Sequence, residues 1–227
     1  MTGPDPGDED AARLAAESLA DRDVTGWFER LYAAAEEGDA VVPWDRGAPH
    51  RLLVEWAREH RPDAAGLRGI VVGCGLGDDA ELVAGLGFDT VAFDVSPTAI
   101  RTARRRHPDS PVHYRVANLL DPPDGWQGAF DLVVESLTVQ SLPDPPRPVA
   151  IANVASLVAP GGTLLVIASA RDEGDPVDGP PWPLTRDEID AFAAGGLDPV
   201  RIEDIPLSGD PSARRWRAEF RRPERGG

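Results

Sequence analysis

The chain holds one cysteine, Cys74, and four histidines, and this scarcity closes off several kinds of chemistry. A lone cysteine excludes an intrachain disulfide and a cysteine metal cluster. His50, His60, His107 and His113 show no close ligand spacing, so no structural metal is expected. No apolar run approaches the ~18 residues of a membrane span. The opening residues Met1-Thr2-Gly3-Pro4-Asp5 lack the basic and apolar regions of a secretory leader. A soluble cytoplasmic protein without a membrane partner is the expectation. Positive charge is short too: 23 basic against 39 acidic side chains leave a net −16. That balance disfavours DNA, RNA or an acidic membrane surface as a partner.

What is present has the size of one domain plus a terminal segment, in 227 residues. Residues 1–7 are rich in Gly, Pro and Asp and read as a disordered tail. Residues 8–66 read as a helical segment, with helices over 8–20, 27–37 and 49–60. From Leu67 to about 223 the pattern alternates. Strands are expected at 68–73, 89–94, 112–116, 130–135 and 163–169, and helices at 78–86, 96–107 and 146–158. Pro160-Gly161-Gly162 reads as a turn. Thr185 and Glu188 have capping-box spacing for a helix over 185–194. Two late strands, 199–207 and 214–222, finish the chain. Such alternation implies an α/β fold, a mostly parallel sheet with helices on both faces. The final pair implies a last strand inserted antiparallel at one edge.

The first strand runs into Gly73-Cys74-Gly75-Leu76-Gly77-Asp78-Asp79. Glycines there let the backbone turn sharply and approach a ligand closely. Asp94 ends the second apolar run, 21 residues after Gly73, where an acid reaches ribose hydroxyls in nucleotide-binding βαβ units. The dinucleotide fingerprint, however, wants a third Gly at position 78, and this chain has Asp78 and Asp79. A pyrophosphate over the next helix N-terminus would be repelled by two carboxylates. A cofactor with ribose, no phosphate and positive charge suits the loop, and S-adenosylmethionine is such a molecule.

These residues resemble a class I S-adenosylmethionine-dependent methyltransferase over about 67–222. Five elements occur in order: Val72-Gly73-Cys74-Gly75-Leu76-Gly77, Phe93-Asp94-Val95-Ser96, Asn118-Leu119-Leu120-Asp121, Phe130-Asp131-Leu132-Val133-Val134-Glu135 and Pro160-Gly161-Gly162-Thr163. The resemblance implies a Rossmann-like sheet under an N-terminal helical cap. It implies cofactor contacts from Gly73, Cys74, Gly75, Gly77, Asp78, Asp94 and Val95, with Asn118 and Leu119 beside adenine. Glu135 and Ser136, at the end of the fourth strand, are positioning candidates for cofactor or acceptor, and no catalytic base is assigned. Trp27 followed by Val42-Pro43-Trp44-Asp45-Arg46-Gly47 is similar to the N-terminal region of the thiopurine and halide/thiol methyltransferase group. That resemblance implies Trp27 and Trp44 over the sulfonium, a cation–π contact worth roughly 0.5–2 kcal/mol. Tyr32 and Trp182, the latter in the loop after the fifth strand, are expected at the acceptor pocket. Trp126 and Trp216 have no motif context and read as packing residues, and Arg104-Arg105-Arg106-His107 as a solvated helix end.

Absent motifs narrow the acceptor. The Asn/Asp-Pro-Pro-aromatic segment of nucleic-acid amino-methyltransferases is missing after the fourth strand, which reads Glu135-Ser136-Leu137-Thr138. The nucleophilic Cys of cytosine C5 chemistry is missing there too. The expectation is direct in-line transfer to a small molecule, with a thiol favoured: at pKa ~8.5 a thiol is a few per cent thiolate at neutral pH and needs no strong base. An O- or N-methyltransferase acting on a small natural product or larger intermediate is the alternative. A cofactor-binding scaffold without turnover is the non-enzymatic one.

Overall fold

The computed structural model describes residues 6–177, 179–207 and 210–224. The expected tail falls outside them for residues 1–5, and helix α1 opens at Pro6. Helices α1 (Pro6–Ala20), α2 (Gly26–Glu37) and α3 (Arg51–His60) precede β1 (Arg68–Val72). There follow α4 (Asp78–Gly85), β2 (Asp89–Asp94), α5 (Pro97–Arg106), β3 (His113–Val116), β4 (Phe130–Ser136), α6 (Pro146–Ser156) and β5 (Val158–Ala170). The chain ends with α7 (Arg186–Asp190), β6 (Asp198–Leu207) and β7 (Asp210–Arg221).

Seven strands form one sheet in the order β3-β2-β1-β4-β5-β7-β6. The first five are parallel, and β7 runs antiparallel to both neighbours. The last strand therefore enters between β5 and β6, and β6 takes the outer edge. Alternate residues of each strand face opposite layers. Ile70, Val72, Val133, Leu164 and Val166 pack with Val154, Phe192 and Phe220 on one side. Val71, Leu132, Val134, Leu165 and Ile167 pack with Leu53, Trp56, Val83 and Ile100 on the other. No helix among the described residues is long and apolar enough to cross a membrane.

Several expected boundaries move, the last strand among them, which begins at Asp210 rather than 214. Strand β5 begins at Val158, five residues before the expected start, and Pro160-Gly161-Gly162 lies within it. The pairing with β4 shifts register between Phe130 and Leu132, so the extra residues bulge out, with Gly161 at φ +77°. Arg222 flanks this bulge through backbone bonds to Gly161 and Gly162. The helix expected at 185–194 has its capping box, but after five α residues it tightens into a 3-10 turn over Ala191–Gly195.

Helices α1 and α2 and the loop after them close over the sheet through a third cluster, in which Leu14, Trp27, Leu31 and Val42 meet Leu76 and Ala99 of the core. Ion pairs and hydrogen bonds fasten this cap. The Glu29 carboxylate accepts from Thr98 N (3.0 Å), Thr98 Oγ1 (2.6 Å) and Ser96 Oγ at the start of α5. Burial raises its pKa, but these bonds more than offset it and hold the carboxyl below its usual range. At the other end of α5, Arg105 pairs with Glu36 (2.9 Å), and Arg106 grips both Asp45 oxygens at 2.8 and 2.7 Å. Arg104 donates to the Tyr114 carbonyl. The arginine run expected to be solvated is thus a strap between cap and core.

Candidate functional site

Beyond the carboxyl ends of the parallel strands, where open α/β sheets bind ligands, lies a cavity of about 250 Å³ roofed by the cap. Its floor is the loop after β1. Gly75 has φ +52° and Gly77 φ +99°, left-handed values that favour glycine. There is no room for side chains either: a Cβ on Gly75 would lie 2.8 Å from the Tyr32 hydroxyl, and one on Gly77 2.4 Å from that of Tyr114. The glycines thus let the cap and β3 approach the loop backbone directly. Cys74 is buried, donates its N–H to the Phe93 carbonyl at 2.8 Å, and has its thiol pKa raised by burial. It is a packed thiol, not a reactive one.

Asp94 ends β2 beside this loop. Its Oδ2 accepts the Gly75 N–H at 3.0 Å and its Oδ1 the Ser96 N–H at 2.9 Å. Burial pushes its carboxyl up to about 6, even though both bonds favour the ionised form. Val95, Asn118 and Leu119 line the cavity next to it, and Asn118 Oδ1 holds its own turn through Leu120 N at 2.9 Å.

The two acids after the glycines take different positions. Asp78 lies 3.9 Å from Arg106 and 3.8 Å from His107, in an acid–base cluster on α5. Asp79 is more deeply placed, and its Oδ1 accepts the His50 N–H at 2.6 Å. Burial raises its pKa, against the hydrogen bonds from His50 and Ser136. Both line the cavity.

The roof is aromatic. Trp27 is buried and stacks on Phe28 with ring centroids 4.0 Å apart. Trp44 meets Trp27 edge-on at 6.1 Å and donates its Nε1–H to the Tyr32 hydroxyl at 2.7 Å. Trp27, Tyr32 and Trp44 all line the cavity, as does Ser136. Trp126 and Trp216 pack, against Phe93 and under the Leu184 carbonyl respectively.

Two expected site residues do not reach it. Glu135 is fully buried beneath the floor, its side chain on the face that β4 shares with Val72 and Val166. Its Oε1 accepts the N–H groups of Thr138 (2.8 Å) and Val139 (2.9 Å), and its Oε2 is buried without a partner. Strand alternation sends Ser136, not Glu135, to the cavity side. Trp182 lies outside as well, its ring 5.9 Å from the Arg147 guanidinium and its backbone N–H donating to the Gln140 carbonyl, while Pro180 and Pro181 face the cavity instead.

The sequence did not point to Arg46, His50, Ser169 or Arg215, all of which line the cavity. His50 caps α3, its Nδ1 accepting from Leu52 N at 3.2 Å, and burial with nearby arginines lowers its pKa to about 4. Its place immediately before α3 was available as a signal for His50. None was available for Arg215, brought in by the register that sets it opposite Ser169.

Residues 70–162 match a family model described as a methyltransferase domain. The chain is 33% identical over 132 residues to a ubiquinone biosynthesis O-methyltransferase of Xanthomonas euvesicatoria, covering 54% of each chain. It thus spans about half the length of that relative. It is 25% identical over 199 residues to a probable thiol methyltransferase 2 of Arabidopsis thaliana, covering 85% of this chain and 83% of the other. The structure of the N-methyltransferase NodS from Bradyrhizobium japonicum with S-adenosyl-L-homocysteine superposes with a TM-score of 0.64 at 23% identity, over 86% of this chain and all of that one, which shows a shared fold. Over residues 70–162, which include the glycine loop and Asp94, the chain is thus similar to methyltransferase domains.

Proposed function

We propose that the chain transfers a methyl group from S-adenosylmethionine to a small molecule, and that the accepting atom is sulfur. The observation that carries the donor half is the Gly75–Asp94 pair under an aromatic roof. The glycine cradle would be filled by any Cβ, and the acid beside it has oxygen lone pairs left for ribose hydroxyls. Asp79 would hold the ammonium, Asn118 and Leu119 the adenine, and Trp27 and Trp44 the sulfonium side. Bound there, the donor supplies an already activated methyl group.

The protein's task is then alignment and exclusion of water. Orientation of two reactants can supply up to ~7–11 kcal/mol of barrier reduction. The cap does both: its ion pairs to α5 fix the roof, and Tyr32, Trp27 and Trp44 replace water with aromatic surface.

Sulfur is supported by what the cavity offers as a base. His50, with a pKa of about 4, is a weak one. Asp94 is engaged by two N–H groups, and burial raises the Tyr32 hydroxyl well above its usual range. An acceptor that is partly ionised in water suits such a site better than an unactivated hydroxyl. The likeness to a probable thiol methyltransferase, 25% identical over 83% of that protein's length, supports this reading. The O-methyltransferase relatives support oxygen as the second reading. Radiolabelled donor with matched thiol, phenol and amine acceptors tests the choice. Thiols are expected to be turned over fastest; faster phenols would assign oxygen, and donor binding with no turnover on any acceptor would assign a scaffold.

A further inference from the structure

The cavity changes character along its length. Asp94 ends β2 and Arg215 lies on β7, four strands away in the sheet, roughly 19 Å at ~4.8 Å per step. Near the glycine loop the carboxylates are all engaged: Asp94 by two N–H groups, Asp45 by Arg106, Asp78 near Arg106 and His107, Asp79 by His50 N–H. At the far side the reverse holds. Arg46 of the cap loop and Arg215 line the cavity, and among the described residues neither forms an ion pair. Among the described residues, Arg215 donates only to the Arg214 carbonyl, at 3.1 Å.

These two cations feel each other. Burial, then the field of Arg46, lowers the Arg215 pKa, and both guanidinium groups help to keep His50 neutral. Since His50 Nδ1 accepts from Leu52 N, the hydrogen of the neutral ring sits on Nε2, a free donor. Among the described residues no acidic side chain forms an ion pair with either guanidinium, although the field of Arg46 reaches the buried Asp79. Arg46 is exposed and Arg215 half-buried, and an unpaired half-buried guanidinium costs free energy that a bound anion offsets. The cationic side chains are moreover all arginine, since the sequence has no lysine. The guanidinium fork matches the two oxygens of a carboxylate.

We propose that Arg46, Arg215 and His50 form an anion-binding end of the acceptor pocket, and that the acceptor is a small acid whose carboxylate docks there while a separate atom of the same molecule receives the methyl group. This rests on the methyl-transfer reading above and adds the acceptor's class. Ser169 and Gln140, which line the same wall, leave room for neutral donors around the carboxylate.

The test is calorimetric, on the full chain saturated with S-adenosylhomocysteine, with 4-mercaptobenzoate and 3-mercaptopropionate titrated against their methyl esters. Each acid is expected to bind at least about tenfold tighter than its ester, a preference that falls with added salt. In R46Q/R215Q the preference should drop below about threefold, while affinity for S-adenosylhomocysteine moves by less than that. Esters binding as well as acids would overturn the proposal, as would a preference that survives the double substitution, or binding of neither compound by a protein that still binds S-adenosylhomocysteine. Should the double variant fail to fold, the acid-to-ester ratio of the unsubstituted protein decides alone. Failure of that protein to bind S-adenosylhomocysteine at all would remove the methyl-transfer reading itself, a separate and distinguishable outcome.

Discussion

The Asp94 carboxylate accepts the Gly75 N–H at 3.0 Å, joining the end of β2 to the loop after β1. Donor binding is therefore expected to depend on this one side chain twice, through the ribose and through the shape of the loop. Asp94→Ala should weaken S-adenosylhomocysteine binding by about 30-fold or more, the equivalent of ~2 kcal/mol for a charged acceptor lost. A pH profile separates the two roles. Burial puts the carboxyl at about 6, and ribose hydroxyls donate best to the ionised form. Affinity should fall as pH drops through 6 and be level above 7, and Asp94→Asn should flatten the profile. A flat profile in the unsubstituted protein, measured by calorimetry, would remove the ribose role.

Gly77 is expected to be irreplaceable on structural grounds alone. Its φ of +99° is strained for any L side chain, and an added Cβ would meet the Tyr114 hydroxyl at 2.4 Å. That hydroxyl is itself fixed, donating to Glu81 at 2.6 Å. Gly77→Ala should cost at least about 2 kcal/mol of folding stability. Gly85, within α4 and with open space around its Cα, is the control. Gly85→Ala should stabilise by roughly 0.4–1 kcal/mol. Urea unfolding of both variants reads the difference.

Glu135 makes stability depend on pH. Burial raises its carboxyl to about 7, against the two N–H bonds that favour ionisation. A folded pKa above the unfolded value means the folded state holds its proton longer, so stability is fullest below about 4.5 and declines as pH rises to 7. The decline is on the order of 3 kcal/mol. His50, with its depressed pKa, acts oppositely, losing stability as pH falls from 6.5 toward 4. The difference between the unsubstituted protein and Glu135→Gln isolates the first effect. Unfolding free energies from pH 4.5 to 8 should converge toward, and then favour, the glutamine form. Parallel curves would mean that Glu135 titrates normally.

The parts legible in the sequence are those written in local patterns. Ile70 to Val72 is a buried strand because three apolar residues precede a glycine turn, and Thr185 with Glu188 stops and starts the chain through a capping box. The cofactor end was legible because glycine spacing and Asp94 lie within one βαβ unit. The rest depends on register and packing between distant segments. Glu135 and Ser136 are adjacent, and only the pleat decides which one faces the cavity. Leu137, at φ +63°, turns the chain just after them, a backbone state its side chain does not announce. Arg215 reaches the site only because β7 inserts between β5 and β6, and the arginines of α5 found partners in a cap more than sixty residues away.

The aromatic roof gives a test that separates packing from charge recognition. Trp44 donates to the Tyr32 hydroxyl at 2.7 Å and lies edge-on to Trp27, so its ring is held in place over the glycine loop. If these rings only filled space, truncation would weaken binding of S-adenosylmethionine and S-adenosylhomocysteine alike. The first carries a sulfonium and the second a neutral thioether, so a cation–π contribution appears only in the first. Trp44→Leu, which keeps an apolar side chain, is therefore expected to reduce the ratio of the two affinities by about 2- to 30-fold, matching roughly 0.5–2 kcal/mol. Tyr32→Phe removes only the partner of the Trp44 N–H and should cost about 1 kcal/mol of stability with the ratio nearly kept. Competition titrations with both nucleosides on both variants give the ratios, and an unchanged ratio in Trp44→Leu would leave the ring a packing role alone.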